Sequence, residues 1–184
     1  ELKAGVSWLA AAPSVARYLW AAGQAQAAAE GKACTAFAFA LGSEHPVYRV
    51  LAGRLPGEWR PYAWYVRVPD LAGFLRHLTP VLEARLARSL LSGHTGEVKL
   101  SFYRSGLQLH CAAGRLSVAP WQPRPKAEGD AAFPDLTFLH LLFGHRTLDE
   151  LKHIYRDCWT DSDEARLLLE ALFPKQASDL WPVY

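Results

Sequence analysis

Residues Leu141 to Leu151 read Leu-Leu-Phe-Gly-His-Arg-Thr-Leu-Asp-Glu-Leu, and they spell a helix, a stop and a restart. The apolar Phe138, Leu139, Leu141, Leu142 and Phe143 run into Gly144. Glycine takes positive φ without a Cβ clash, which suits the residue just past a helix end. Three residues on, Thr147-Leu-Asp-Glu150 has the pattern of a capping box: the hydroxyl accepts an orphan N–H and the glutamate reaches back. The stretch predicts helices over Leu136 to Phe143 and Leu148 to Tyr155, joined tightly. Such a joint specifies architecture and carries no chemistry.

Upstream, Val98, Leu100 and Phe102 alternate with Lys99 and Ser101, and Leu107, Leu109 and Cys111 alternate with Gln108 and His110. Turns at Arg104-Ser105-Gly106 and Ala113-Gly114, followed by Leu116 and Val118, predict an antiparallel three-stranded meander with one wet face. Leu100 should be buried, and Lys99 and Gln108 exposed. Pro120 to Ala132 reads as a surface connection. Tyr62 to Val68 is aromatic and β-branched, and is expected as a strand. Asp70 can cap a helix presenting Leu71, Phe74, Leu75 and Leu78, kinked or restarted at Pro80 and continued by Val81, Leu82, Leu86 and Leu90.

Towards the N-terminus, Pro13 and Ser14 can start a helix with an apolar face of Val15, Tyr18, Leu19, Ala22, Ala25 and Ala29, ended by Gly31. Cys34 to Leu41 suits a strand, and Pro46 suits the first position of a short helix. Towards the C-terminus, Asp163 to Phe173 is expected as a helix, with Asp161 and Glu164 as a capping pair, before an irregular tail from Pro174 to Tyr184. There is no internal repeat. The elements together predict an α+β fold.

At 184 residues with 51% apolar and 21% charged side chains, the chain suits one packed domain or slightly more. A net charge of +2 and scattered basic residues leave no nucleic-acid footprint. Cys34, Cys111 and Cys158 lie far apart, and an odd count with no Cys-x-x-Cys predicts reduced, mostly buried thiols in a cytoplasm. The stretch Val6 to Ala12 loosely mimics a signal peptide but is short, interrupted by Ser7 and closed by Pro13. No run approaches the roughly 18 apolar residues of a membrane span. The chain opens on Glu1 and contains no methionine, so processing or truncation is expected.

The chemistry is sparse. His140, His145 and His153 lack helical ligand spacing, and no metal is expected. The acidic run Asp157 to Glu164 lacks the glycine of a calcium loop. Neither a Gly-x-Ser-x-Gly elbow nor a Gly-x-x-x-x-Gly-Lys loop occurs. Glu44-His45-Pro46 with Tyr48 is the best polar group, able in principle to move a proton. The plainer alternative is that His45 caps a helix and Tyr48 packs. Tyr62, Trp64, Phe74, Phe102, Phe138, Trp159 and Trp181 either line an apolar ligand cavity or form the core.

Tyr62-Ala-Trp-Tyr-Val-Arg-Val-Pro-Asp70, Gly93-His-Thr-Gly-Glu97, Leu100-Ser-Phe-Tyr-Arg104 and Leu142-Phe-Gly-His-Arg-Thr-Leu-Asp-Glu-Leu151 form one texture, with Ala171-Leu-Phe-Pro-Lys175 and Trp181-Pro182. It resembles the C-terminal part of a bacterial GNAT-family N-acetyltransferase that carries a sterol-carrier-protein-2-like (SCP2-like) domain. The resemblance implies an SCP2-like antiparallel sheet covered by helices over residues 62–184, preceded by a partial GNAT-like helix-strand segment over residues 1–61. It implies transfer of acetyl from acetyl-CoA to an amine in the parent protein. The family's Gln/Arg-x-x-Gly-x-Gly/Ala turn, whose amides cradle pyrophosphate, is absent here, so no cofactor is expected on this chain alone. The chain would supply scaffold and an acceptor-side wall, with Trp64, Phe102 and Trp181 as substrate-binding residues.

The same resemblance implies Tyr48 as general acid, beside His45 and Glu44, and the α-carboxylate of Tyr184 as base. A frayed tail is the alternative for Tyr184. The partner implied is the remaining GNAT portion of the parent chain; a homo-oligomer is left open. The rival function is a non-enzymatic SCP2-like module that holds a lipid or other apolar ligand.

Overall fold

The computed structural model describes residues 2–42, 44–57, 65–134 and 136–177. Two compact units divide the chain, one built on the residues up to Ala63 and the other spanning Trp64–Gln176.

The first unit is built around α1 (Trp8–Ala29). Ser7 caps it, accepting the Ala10 N–H at 3.2 Å, so the helix begins at Trp8, ahead of the expected start at Pro13 and Ser14, and Pro13 lies inside it. Proline there removes only the bond to the Leu9 carbonyl, near an end where the Ser7 cap already holds the first turn. At the other end Gly31 (φ 66°) donates to the Ala28 carbonyl and Lys32 to that of Ala27, a Schellman motif.

Cys34 to Leu41 corrects the sequence reading: no strand pairs with it among the described residues. Side chains take the place of a ladder. Gln24 donates to the Cys34 carbonyl, and Tyr48 binds the backbone at Phe39 and Leu41. The segment leads to α2 (Pro46–Val50). A small core of Ala12, Val47 and Leu51 is flanked by Trp8, Phe39 and Tyr48.

In the second unit, residues 65–68 are not a strand either; the rest of the expected strand Tyr62 to Val68 lies outside the described residues. β-Propensity marks side chains that fit a pleated surface but does not supply a partner. Asp70 accepts the Gly73 N–H at 2.8 Å and caps α3 (Leu71–Ala87). The helix runs unbroken through Pro80, which faces solvent, where the freed Arg76 carbonyl can meet water. Its buried face is Ala72, Leu75, Leu82 and Leu86, whereas Val81 and Leu90, expected on that face, are exposed.

The meander forms as expected. β1 (Gly96–Ser101) pairs antiparallel with β2 (Gly106–Ala112), and β2 with β3 (Arg115–Trp121). Ala113 (φ 49°) and Gly114 (φ 81°) make the two-residue turn with left-handed backbone that hairpin twist favours. Leu100 is buried, while Lys99 and Gln108 are half-buried rather than exposed. β3 is an edge strand, which is why Pro120 is tolerated within it. Glu83 of α3 accepts the N–H of Leu116 and ion-pairs with Arg115, tying that edge down.

Two further strands were not expected: β4 (Ala131–Ala132), at the end of the stretch read as a surface connection, and β5 (Trp159–Thr160), between two expected helices. The order is β3-β2-β1-β4-β5, with β1 and β4 parallel. The sheet is therefore mixed, correcting the antiparallel sheet that the resemblance implied. β1 and β3 run the same way, so a chain that leaves β3 and crosses over enters β4 parallel to β1. Asp130 guides the crossover: its carboxylate accepts the Lys99 N–H at 2.6 Å and its own N–H donates to the Lys99 carbonyl at 2.8 Å.

The remaining helices are α4 (Thr137–Leu142), α5 (Leu148–Ile154) and α6 (Asp163–Leu172). Gly144 (φ 68°) donates to the Leu141 carbonyl and His145 to that of His140, a second Schellman motif. α6 is capped by Ser162, not by the expected Asp161 and Glu164 pair. Arg85 donates to the Leu172 carbonyl at the C-terminal end of α6, where a cation suits the helix dipole. The fold of this unit is α+β, with one sheet face buried in the core through Val98, Leu100, Leu107, Leu109, Cys111, Leu116 and Val118. No helix among the described residues is long and apolar enough to cross a membrane.

Candidate functional site

The first group singled out in the sequence, Glu44, His45 and Tyr48, is brought together at the start of α2. His45 is the N-cap, and its Nδ1 accepts the Val47 N–H at 3.3 Å. A neutral imidazole that accepts at Nδ1 carries its proton at Nε2. Trp8 packs edge-on against the ring at 4.6 Å. Tyr48 donates its phenol proton to the Phe39 carbonyl at 2.8 Å and accepts the Leu41 N–H at 3.1 Å. Both groups thus serve the backbone, and Tyr48 gives up a proton only by releasing Phe39. Glu44 pairs with Arg49 at 3.6 Å between two largely exposed side chains, a contact of little energetic weight.

Tyr184, Trp64 and Trp181 lie outside the described residues. Phe102 is half-buried and packs on Phe138 at 5.4 Å. Phe138 in turn meets Phe133 at 5.2 Å and Phe173 at 5.4 Å. These rings fill the interior at that point, as core rather than as the wall of a tunnel.

Sequence reasoning passes over a second constellation, on the opposite face of the sheet. The registers place Trp121, Gly106, Ser101, Ala132 and Trp159 in one row across all five strands. Residues paired in register share a face, so two tryptophans stand at the ends of a row of small residues. Beside this row, whose Gly106, Ser101 and Ala132 are buried, opens a cleft of about 660 Å³, lined by Lys99, Trp121, Gly129, Asp130, Trp159 and Asp161 among others.

Trp121 lies tightly over two glycines. A Cβ on Gly106 would come within 2.6 Å of its ring and 2.5 Å of the Leu100 carbonyl. One on Gly129 (φ 95°) would come within 2.7 Å of the Lys99 carbonyl and 3.2 Å of the same ring. At the other end, Tyr103 (φ 64°) donates its phenol to the Asp157 carbonyl at 2.6 Å, next to Trp159. Burial, then Asp157, raises that phenol above its ordinary value. Trp159 is among the aromatics that the sequence offers for a cavity wall or the core, but nothing local relates it to Trp121.

Neither cysteine of this unit offers a nucleophile. Cys111 and Cys158 are buried, and burial holds both thiols protonated, Cys158 up to about 11. His94 lies over Gly96 with its Nε2 3.1 Å from the Glu164 carboxylate, off the direction of a hydrogen bond. Among the described residues no three His, Cys, Asp or Glu side chains gather as a metal site.

Comparison with family models, with curated proteins and with solved structures returned no match.

Proposed function

We propose that this chain is the C-terminal portion of an acetyl-CoA-dependent N-acetyltransferase of GNAT type, in which the Trp64–Gln176 unit is an SCP2-like scaffold and acceptor-side wall. The supporting observation is that the most distinctive string of the resemblance, Leu142 to Leu151, is a structural joint in which Gly144, Thr147 and Glu150 each hold the backbone. A string so tied to one local geometry is a mark of scaffold. Residues 1–184 contain no pyrophosphate-binding turn, so acetyl-CoA has no place to sit on this chain by that device. The lipid-carrier reading draws less support, because Phe102, Phe133, Phe138 and Phe173 pack on one another.

Two measurements test the reading. Calorimetry on the 184-residue chain should show no saturable binding of acetyl-CoA at micromolar concentration. The parent protein should release CoA from acetyl-CoA in the presence of primary amines, and changing Tyr184, by deletion or by adding one residue after it, should reduce that release if its carboxylate is the base. No release with any amine overturns the proposal.

A further inference from the structure

We propose that the cleft between Trp121 and Trp159 binds an organic cation, a ligand bearing a quaternary or protonated alkylammonium group. The site lies wholly within Trp64–Gln176 and does not depend on acetyl transfer.

Trp121 and Trp159 are the aromatic side chains in the lining of the cleft, and Gly129 and Ala127 are its small residues. An ammonium group with its apolar substituents meets aromatic surface there, and indole is the strongest of the aromatic partners for a cation. The Trp121 ring is already in position. Gly106 and Gly129 admit it close over the sheet, where a Cβ on either would meet the ring. A wall fixed before binding lowers the ordering cost of the complex.

The charge has the matching sign. Lys99 enters the lining, but its ammonium lies 2.7 Å from Glu97, which is itself outside the cleft. That leaves the carboxylates of Glu128 and Asp161, and that of Asp130, which already accepts the Lys99 N–H, against the ammonium of Lys126. None of these three carboxylates makes an ion pair closer than 4 Å among the described residues. Asp161 is exposed and is held in place by its own N–H, which donates to the Asp130 carbonyl at 2.8 Å. An anion is disfavoured by this excess, and a neutral sugar would make no use of it.

The test uses the 184-residue chain and ligand-observed NMR with tetramethylammonium chloride. Sodium chloride and tert-butanol serve as ionic and apolar controls, and glucose as the neutral alternative. Saturable broadening of the tetramethylammonium methyl signal is expected, with none for tert-butanol. Trp159→Leu should weaken binding about tenfold. Asp161→Asn, at an exposed side chain whose structural bond is made by its backbone, should keep the fold and weaken binding about threefold. The proposal is overturned by no saturable binding of tetramethylammonium, by equal binding of tert-butanol, by a preference for glucose, or by unchanged affinity in a folded Asp161→Asn protein.

Discussion

Thr147 and Glu150 cap one another: Thr147 Oγ1 accepts the Glu150 N–H at 3.1 Å, and Glu150 Oε2 accepts the Thr147 N–H at 2.8 Å. The other carboxylate oxygen of Glu150 meets Lys175 at 2.6 Å, so one side chain joins the start of α5 to the segment that follows α6. Thr147→Ala removes an N-cap and should cost about 1 kcal/mol in a urea titration.

Glu150 also sets a pH dependence. Its bond to Lys175, then the Thr147 N–H, holds the carboxyl below its ordinary value of 4.5. The unfolded chain therefore binds this proton more readily than the folded one. The stability contributed is fully present above pH 4.5 and is lost as pH falls through the lower folded value. Glu150→Gln should flatten the acid side of a stability-versus-pH curve in that window. An unchanged acid limb would show that the pair does not couple to folding.

His140 should titrate low. Burial, then His145 and Arg146, holds its imidazole below the ordinary 6.5, overriding the helix C-terminus that would favour the charged form. The unfolded chain again takes up the proton first, so stability is complete above pH 6.5 and declines as pH falls towards the folded value. Proton NMR of the imidazole should give the low value directly, and His145→Gln should raise it.

Gly144→Ala should cost about 2 kcal/mol in a denaturant titration. The left-handed backbone at φ 68° alone disfavours alanine by about 1 kcal/mol. The new Cβ would also come within 2.9 Å of the Gln176 N and 3.1 Å of the Pro174 carbonyl, both backbone, beside the bond from the Gln176 N–H to the Gly144 carbonyl. A cost near zero would mean that the chain around 174–176 moves aside freely.

Gly106→Ala should cost about 3 kcal/mol, an overpacking penalty against the Leu100 carbonyl and the Trp121 ring. The readout is the melting temperature together with the tryptophan near-ultraviolet circular dichroism. The companion substitution Trp121→Leu should recover part of the loss, since it removes one of the two obstacles.

The sequence by itself determined what lies within a few residues of its own signal. Gly144 and Gly31 end their helices, Thr147 and Glu150 start one, and Asp70 caps another. The alternation from Val98 to Val118 sets two hairpin registers, because adjacent strands joined by short turns pair locally. Only the tertiary structure decided which β-rich stretches find partners. Cys34 to Leu41 and residues 65–68 look like strands and are not, whereas Ala131–Ala132 and Trp159–Thr160 look like little and complete the sheet. Of the candidate residues, His45 and Tyr48 were legible because they lie within one helical turn of each other. The cleft was not legible, since Trp121 and Trp159 come to line one cleft only through a parallel crossover past Lys99 and Asp130. Pairing energy resides between strands, so no single stretch of chain encodes it.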